Sequence, residues 1–301
     1  MKVVKAFSPA HITGIFAVER GLNPLTTGSR GVGVTLTKGV HTELKAEPST
    51  RWKVSVKGFG AEIEGEVSRR VVELLASKAP KPYHVEIVHK FEVPVGAGYG
   101  ASGAGALGVA LTLNEALNLG LTPLEAANTA HVAEVECMTG LGTVLAETWG
   151  GLSFRVKAGA PSLGAIRKIK AENLYVVSLC WSELSTRGLI SNPAFTGFIK
   201  RVGNGFLEKF SGNPSVEGFL ELSRGFAETL NVLSPRIRSA LTFLEAKGPW
   251  KFSVNMFGEA VFTLVGEEEL RRLLPHLNHP ALGSCRVIVA GISEEGVKLE
   301  G

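Results

Sequence analysis

The stretch PVGAGYGASGAGALG at residues 94–108 decides the fold. Its six glycines let the backbone turn tightly and approach a ligand closely. A helix is predicted to begin at about Ser102 and to run to about residue 118. Free N–H groups and the positive end of the dipole at the start of such a helix suit an anionic phosphate. The stretch therefore predicts a phosphate-binding loop followed by a helix.

Three other interpretations of this loop compete with phosphate binding. No Lys or Arg occurs between Phe91 and Phe154, so the loop lacks the lysine of a Walker A motif. Gly98, Gly100 and Gly103 fit the spacing of a dinucleotide-binding turn, but helix follows helix and no acidic residue closes a second strand. The small residues could also serve close helix packing alone. A phosphate here would have to be held by backbone amides, the helix dipole and a metal ion.

Hydrophobic periodicity around the loop predicts a mixed fold. Strands are predicted at 2–7, 31–37, 40–46, 52–57, 83–89, 152–157, 174–180, 251–256, 260–265, 285–291 and 297–299. Helices are predicted at 65–78, 102–118, 123–138, 193–210, 214–231, 235–246 and 267–274, the third beginning with a capping box and Pro123. The elements interleave without regular βαβ repeats, which indicates an α+β protein in two domains, 1–160 and 161–301, divided by a turn-prone linker at 158–164.

The composition lacks two amino acids. All 28 acidic residues are glutamates, and glutamine is absent as well. A globular chain of this size ordinarily carries roughly 15 to 20 aspartates. The absence of aspartate excludes mechanisms that need this residue, such as Asp-containing catalytic triads and EF-hand loops. It favours a sequence redesigned with a reduced amino-acid alphabet, with an unusual natural composition as the alternative.

Charge and cysteine content limit the partners and the compartment. The net charge is +4, but no run of five Lys or Arg residues occurs, which argues against a nucleic-acid partner. The three cysteines are far apart and show no zinc-binding spacing, as in proteins of a reducing compartment. Pro9 and His11 interrupt the first apolar run, so no signal peptide or membrane span is expected. We predict a cytoplasmic protein without a membrane partner.

The glycine-rich loop resembles the second signature of the GHMP kinases, Pro-x-x-x-Gly-Leu-Gly-Ser-Ser-Ala. The likeness extends along essentially the whole chain, and four further segments narrow it to the archaeal pantoate kinases: SPAHITGIF at 8–16, TTGSRGVGVTL at 26–36, AHVAEVECMTGLG at 130–142 and WGG at 149–151. The third family signature is reduced here to SVNMFGEAVF at 253–262. The resemblance implies the GHMP kinase two-domain fold, with an N-terminal half like the second domain of ribosomal protein S5, a ferredoxin-like C-terminal half and the active site between them.

The resemblance also implies a reaction. It is transfer of the γ-phosphoryl group of ATP to pantoate, giving 4-phosphopantoate on the archaeal route to coenzyme A, with ATP and Mg²⁺ as cofactors. The cofactor-binding loop would comprise Pro94, Gly96, Ala97, Gly98, Tyr99, Gly100, Ala101, Ser102, Gly103 and Ala104. Ser102 and Glu134 match the family's Mg²⁺-binding hydroxyl and carboxylate, and both are expected to be catalytic. Ser102 is also suited to cap the helix that follows it.

Thr143 marks a departure from the family. Members such as mevalonate kinase carry an aspartate at this position, as a catalytic base or electrostatic organiser. Threonine cannot accept a proton at neutral pH, and loss of a general base typically costs about 10²–10⁴-fold in rate. Homoserine kinases manage without that base, and phosphoryl transfer depends mainly on positioning and electrostatics. We therefore expect impaired catalysis with the fold and nucleotide binding retained.

A pantoate site should supply a cation and hydroxyl groups, because pantoate carries a carboxylate and two hydroxyls. The candidates are Ser29, His131, Arg155 and Thr186. The alternatives are that Arg155 lies on a strand surface and that His131 is a core histidine with satisfied hydrogen bonds. His11, on an early strand, is a further candidate, although such histidines are more often structural.

Other functions remain open at this level. A redesigned chain without aspartate and glutamine could keep the fold and ATP binding but be catalytically silent. A GHMP kinase could also act on another alcohol, such as homoserine or mevalonate. An RNA-binding module is disfavoured, since neither a basic stripe nor a set of stacking aromatics is present. A homodimer is compatible with the sequence.

Overall fold

Two β-sheets form the framework of the protein, whose computed structural model describes residues 3–183 and 192–301. The strands are β1 (Val3–Glu19), β2 (Gly28–Pro48), β3 (Lys53–Gly58), β4 (Ala61–Glu62), β5 (Tyr83–Phe91), β6 (Leu152–Lys157), β7 (Ala165–Ile169), β8 (Tyr175–Glu183), β9 (Ser253–Val254), β10 (Gly258–Val265), β11 (Arg286–Gly291) and β12 (Lys298–Glu300). The helices are α1 (Glu66–Ala76), α2 (Ala101–Leu117), α3 (Pro123–Glu136), α4 (Thr143–Trp149), α5 (Pro193–Gly212), α6 (Val216–Thr229), α7 (Pro235–Glu245) and α8 (Glu267–Leu273). The α+β class predicted from the sequence is confirmed.

The first sheet is organised around β2. Its strand order is β12-β1-β2-β5-β3-β4, and β6 also pairs with β2 and carries β7 on its other side. Because β2 is 21 residues long, β5 pairs with its second half and β6 with its first half. Only β3 and β5 run parallel among the described pairs; the other pairs are antiparallel. The long strand therefore holds the N-terminal hairpin and the loop after β5 in one framework.

The second sheet lies on the far side of the glycine-rich loop. Its order is β11-β8-β10-β9, with antiparallel pairs throughout the described strands. Helices α1, α2 and α3 pack against one another, and α2 lies on β1 and β2. Helices α5 and α6 pack on β1, and α6 also contacts β9 and β10. The segment that joins β5 to α2 consequently runs between the two sheets.

Helix α2 is buried on almost every side. Its residues are mostly small, and a Cβ added at Gly108 would collide with the side chain of Thr42 on β2. Close approach of a helix backbone to a sheet requires such small residues. The next helix, α3, begins with the predicted capping box: Thr122 accepts from the N–H of Glu125, whose carboxylate accepts from the N–H of Thr122, with Pro123 at the first helical position.

Two predicted strands are longer than the sequence indicated. The prediction ended the first strand at residue 7, but β1 continues to Glu19 through register shifts at Pro9/His11 and Thr13/Ile15. A β-bulge accommodates a proline inside a strand because the local ladder is already interrupted. The strands predicted at 31–37 and 40–46 are both parts of β2, which passes through Gly39 without ending.

Three short elements were not predicted, namely the seven-residue helix α4, the two-residue strand β4 and the five-residue strand β7. Segments of this length show too few periods to be recognised. Strands β7 and β12 belong to the first sheet although they follow residue 160. The division into domains 1–160 and 161–301 stays a prediction.

A buried histidine joins the first sheet to the helices above it. The ring of His89 on β5 forms hydrogen bonds with the hydroxyls of Thr42 (3.0 Å) and Ser68 (2.9 Å). Its edge lies 3.4 Å from the position of a Cβ at Gly105 on α2. Burial lowers the pKa of His89 to about 4. The folded protein thus holds this ring uncharged at neutral pH.

We predict that acid destabilises the fold through His89. Below the ordinary histidine pKa of about 6.5 the unfolded chain takes up a proton that the folded chain binds only near pH 4, so stability falls as the pH falls through this window. The contribution of His89 to this loss is about 2 kcal/mol at pH 5 relative to pH 7. Urea unfolding at both pH values, on the wild type and on His89→Asn, measures it. An identical difference between the two pH values for both proteins would contradict the assignment.

Candidate functional site

A cavity of about 420 Å³ lies where the glycine-rich loop meets the two sheets. Strands β1, β2 and β6, the first turn of α2, the end of α3 and the start of α4 contribute to its wall. Its lining includes His11, Thr13, Ser29, Gly96, Gly98, Tyr99, Gly100, Ala101, Ser102, Glu134, Thr139, Thr143, Arg155, Met256 and Phe257. Most of the residues proposed from the sequence are thereby brought to one place.

The loop backbone takes conformations that favour glycine. Gly96, Gly98 and Gly100 have φ angles of 75°, 79° and 68°. A Cβ at Gly98 would lie 2.7 Å from the carbonyl oxygen of Met256, just before β10. A Cβ at Gly100 would collide with Thr143 and with the carboxylate of Glu147. Glycine is thus required both by the turn and by the close packing around it.

Tyr99 anchors the loop to the second sheet. Its side chain is buried, and its hydroxyl forms a 2.7 Å hydrogen bond with the hydroxyl of Ser178 on β8. Burial raises the pKa of this phenol, so it stays protonated. The carbonyl of Tyr99 accepts from the N–H of His11 at 2.9 Å. The loop is therefore attached to both sheets by the one residue in it with a large side chain.

The first turn of α2 opens into the cavity through Ala101 and Ser102. Gly100 caps the helix in a left-handed conformation, and no side chain accepts from the first N–H groups in the described residues. The first N–H groups of a helix have no partner within the helix, and they lie at the positive end of its dipole. This end of a 17-residue helix is suited to bind the phosphates of a nucleotide. The N-cap role weighed for Ser102 is wrong, because Gly100 occupies that position.

Ser102 and Glu134 meet at the cavity wall. The Glu134 carboxylate accepts from the Thr139 hydroxyl at 2.7 Å, and the Ser102 hydroxyl lies near enough to lower the pKa of this carboxyl. Glu134 is buried, and this raises its pKa to about 7 although the hydroxyls of Thr139 and Ser102 lower it. A hydroxyl and a carboxylate are oxygen ligands of the kind that Mg²⁺ takes together with nucleotide phosphates. The pair fits such a cation.

Arg155 on β6 supplies the positive charge of the cavity. It is 1% exposed, and its Nη1 donates to Nε2 of His11 at 3.3 Å. Because arginine can only donate, Nε2 of His11 accepts, and the Nδ1–H group donates to the hydroxyl of Thr13 at 3.3 Å. Burial and the neighbouring Arg155 lower the pKa of His11 far below its ordinary value. His11 is consequently a neutral support for the guanidinium.

Arg155 is a charged side chain with one buried donor that has no partner among the described residues. Burial lowers its pKa to about 10, against the opposing attraction of Glu147, so the guanidinium stays charged at neutral pH. Its Nε has no hydrogen-bond partner in the part of the chain that the structure describes. A buried, charged donor without a partner is costly unless a ligand completes it. The surface-strand alternative for Arg155 is wrong.

The other sequence candidates divide into two groups. Ser29 and Thr143 line the cavity. His131 is buried outside the lining, and its Nε2–H lies within hydrogen-bond distance of the carbonyl oxygens of Thr27 (2.9 Å) and Pro24 (3.2 Å). Thr186 lies outside the described residues. His131 therefore supports the turn before β2 in this structure, and its predicted contact with substrate gains no support from the geometry.

Some loop residues also face away from the cavity. Pro94 borders a separate hollow beside Trp181, and Ala97 and Ala104 are fully buried in the core. Gly103 is covered by the carboxylates of Glu147 and Glu134. These four residues shape the loop without lining the cavity, so their predicted contact with the nucleotide stays a prediction.

Sequence reasoning missed Glu147. This residue on α4 is fully buried, and neither carboxylate oxygen has a hydrogen-bond partner among the described residues. Burial and the nearby Glu134 raise its pKa well above the ordinary value, whereas Arg155 lowers it. The sequence did not indicate that Glu147 is buried, because α4 is too short for its hydrophobic periodicity to show which face is buried. Met256 and Phe257 were contained in the degenerate third signature but were not assigned to the site.

A protein-only metal site and a membrane-spanning helix are both absent from residues 3–183 and 192–301. No group of three or more His, Cys or Glu side chains is arranged to hold a metal by protein ligands alone. No helix there combines the length and the apolar character needed to cross a membrane. A cation in this cavity would accordingly take further ligands from nucleotide phosphates or water.

We predict that Gly98→Ala disrupts the loop. The positive φ at residue 98 and the clash of the new Cβ with the Met256 carbonyl oxygen should destabilise the fold by about 1–3 kcal/mol. The same distortion should weaken ATP binding about tenfold or more. Gly120→Ala is the matched control, because Gly120 has a φ of 75° and no described atom lies within 4 Å of its added Cβ. Calorimetry with a non-hydrolysable ATP analogue checks the affinities. Equal affinities in the two variants would contradict the assignment.

Comparison with known proteins agrees with this site. Residues 66–151, which include the loop, α2, α3 and α4, match the family described as GHMP kinases N terminal domain. The pantoate kinase of Thermococcus kodakarensis is 34% identical over 287 residues, covering 92% of this chain and 94% of the relative. The pantoate kinase of Methanocaldococcus jannaschii is 31% identical over 278 residues, covering 91% and 97%.

A solved structure shares the whole architecture. It is described as a phosphotransferase related to the CoA biosynthesis pathway, and it superposes with a TM-score of 0.89 at 31% identity over 99% of both chains. The coverage excludes a likeness confined to the glycine-rich loop. The chain belongs to the GHMP kinases, in the family of the curated pantoate kinases.

Proposed function

We propose that the protein transfers the γ-phosphoryl group of ATP to a hydroxyl of pantoate, giving 4-phosphopantoate. One observation carries the proposal: a single cavity joins an N-terminal helix turn, the Ser102 and Glu134 pair and the buried cation Arg155. The first two suit a nucleotide phosphate with its cation, and Arg155 suits the carboxylate of the acceptor. The curated relatives named pantoate kinase support this choice of acceptor.

Each part of the cavity has a role in this proposal. Backbone N–H groups at the start of α2 hold the phosphates, while Ser102 and Glu134 hold Mg²⁺. Bound Mg²⁺ would neutralise charge that develops on the transferred group. Arg155, supported by neutral His11, binds the pantoate carboxylate, and Ser29 is available for a hydroxyl. These contacts position the acceptor oxygen and the γ-phosphorus for transfer.

The transfer step would proceed without a carboxylate at residue 143. The pantoate hydroxyl oxygen forms a bond to the γ-phosphorus, the bond to the leaving ADP oxygen breaks, and the hydroxyl proton leaves to solvent or to the transferred phosphate. Thr143 lines the cavity but cannot take the proton. Positioning and charge stabilisation dominate phosphoryl transfer, so we propose a slow enzyme with retained ATP binding. Engineered origin, a homodimer and a cytoplasmic location all stay predictions.

We predict that Thr143→Asp accelerates the reaction. A carboxylate at the cavity wall would add general-base or electrostatic assistance, raising kcat by about 10²-fold or more. Thr148→Asp is the control: it adds the same charge on the same helix, but Thr148 does not line the cavity. ADP formation is followed with pantoate, with homoserine, with mevalonate and without an acceptor. Acceptor-independent ADP formation in every protein would refute a pantoate kinase, and ATP binding without turnover would support the silent redesign.

We also predict that Arg155→Met acts on the acceptor rather than on ATP. Loss of the buried cation should raise KM for pantoate by about 10- to 100-fold and leave KM for ATP near the wild-type value. Arg167→Met is the control, because Arg167 lies exposed on the neighbouring strand β7. Steady-state kinetics with each substrate varied separates the two effects. An unchanged KM for pantoate would remove Arg155 from the acceptor site.

A further inference from the structure

Glu147 is a buried acid that the proposed reaction does not use. Its side chain is fully buried on α4, and both carboxylate oxygens lack hydrogen-bond partners among the described residues. Burial of a carboxylate without hydrogen bonds is strongly unfavourable. A buried polar group without a hydrogen-bond partner in a native structure indicates either a functional role or a partner that binds there.

The position of Glu147 points to that partner. A Cβ at Gly103, in the first turn of α2, would lie 2.8 Å from Oε2 of Glu147 and 3.6 Å from Oε2 of Glu134. Two carboxylates from different helices thus face one point beside Gly103. The hydroxyl of Ser102, the residue before Gly103 in the same turn, also lies near enough to Glu134 to lower the pKa of its carboxyl. The acids converge on the segment that holds the proposed cation.

No cationic side chain among the described residues forms an ion pair with the two acids that face this point. Arg155 attracts Glu147, but no ion pair joins the two side chains within the described residues, and Arg155 donates to His11 instead. Two carboxylates facing each other in a medium of low dielectric repel strongly. Mg²⁺ in proteins is held by one or two carboxylates together with water and phosphates. A divalent cation would balance the pair.

We propose that Glu147 is an electrostatic positioning residue of the divalent-cation site: when the cation is bound, Glu147 adds a second negative charge, from behind the Gly100–Gly103 backbone, to the site formed by Glu134 and Ser102. This inference rests on the proposed function, in which Mg²⁺ accompanies ATP. Glu147 does not line the cavity, so its action is exerted through the cation and Glu134 and not through contact with the substrates.

Mn²⁺ binding to the full-length, nucleotide-free protein tests the proposal. Electron paramagnetic resonance of free Mn²⁺ gives the Kd for the wild type, Glu147→Gln and Glu147→Met. Both substitutions should raise the Kd about tenfold or more, as removal of groups that support a metal site does. In metal-free buffer Glu147→Met should raise the melting temperature, because an unpaired buried carboxylate is replaced by an apolar side chain of similar length. A purely structural residue would not show both effects.

Glu136→Met is the matched control. Glu136 lies on α3 and pairs at the surface with Arg70, so its removal changes the net charge equally without touching the cavity. Its Mn²⁺ Kd should equal that of the wild type. A wild-type Kd in both Glu147 variants would overturn the proposal, as would a wild type that binds no Mn²⁺. A lowered melting temperature with an unchanged Kd would make Glu147 a counter-charge for Arg155 only and would also overturn it.

The test is independent of the acceptor. If the protein fails to phosphorylate pantoate yet Mn²⁺ binding depends on Glu147, the proposed function fails and the role of Glu147 stands. If pantoate is phosphorylated while both Glu147 variants bind Mn²⁺ with the wild-type Kd, the proposed function stands and the role of Glu147 fails.

Discussion

Close packing of a glycine backbone against its neighbours is the constraint on which the rest of the structure depends. Between Gly96 and Gly103 the chain passes between two sheets, touches the carbonyl of Met256 and covers two buried carboxylates. Side chains at these positions would force the sheets and α4 apart. The same bare backbone leaves the first turn of α2 open to the cavity. Packing and phosphate binding are therefore two consequences of one stretch of sequence.

The cavity combines groups that are unfavourable without a ligand. Glu134 and Glu147 are buried acids, and Arg155 is a buried base with an unused donor. A nucleotide with its cation and an acidic acceptor would complete each of them, since phosphate, metal and carboxylate match these charges. The protein accordingly carries at its functional site polar groups that a core selected for stability alone would exclude.

The sequence was sufficient where local chemistry determines structure. The glycine loop, the small face of α2 and the capping box of α3 depend on residues that are near one another in the chain. Prediction failed where tertiary contacts override local signals: Pro9 lies at a bulge within β1, and Gly39 lies inside β2. The directions in which the side chains of Tyr99, His131 and Glu147 point depend on partners that are distant in the sequence. Helix α4 is also too short for its sequence to show which face is buried. Ser102 and Glu134 could be proposed because they match positions of the family that the sequence resembles, and Arg155 because the expected acceptor needs a cation, whereas nothing in the sequence pointed to Glu147.

We propose that the turn at residues 100–102 holds nucleotide phosphate beside the Ser102 and Glu134 pair. A crystal structure with a non-hydrolysable ATP analogue, Mn²⁺ and pantoate tests it most directly, because anomalous scattering locates the metal. We expect the terminal phosphates at the first turn of α2, Mn²⁺ liganded by Ser102 and Glu134, and the pantoate carboxylate on Arg155. Phosphates and Mn²⁺ bound away from this turn, with the cavity filled only by water, would contradict it.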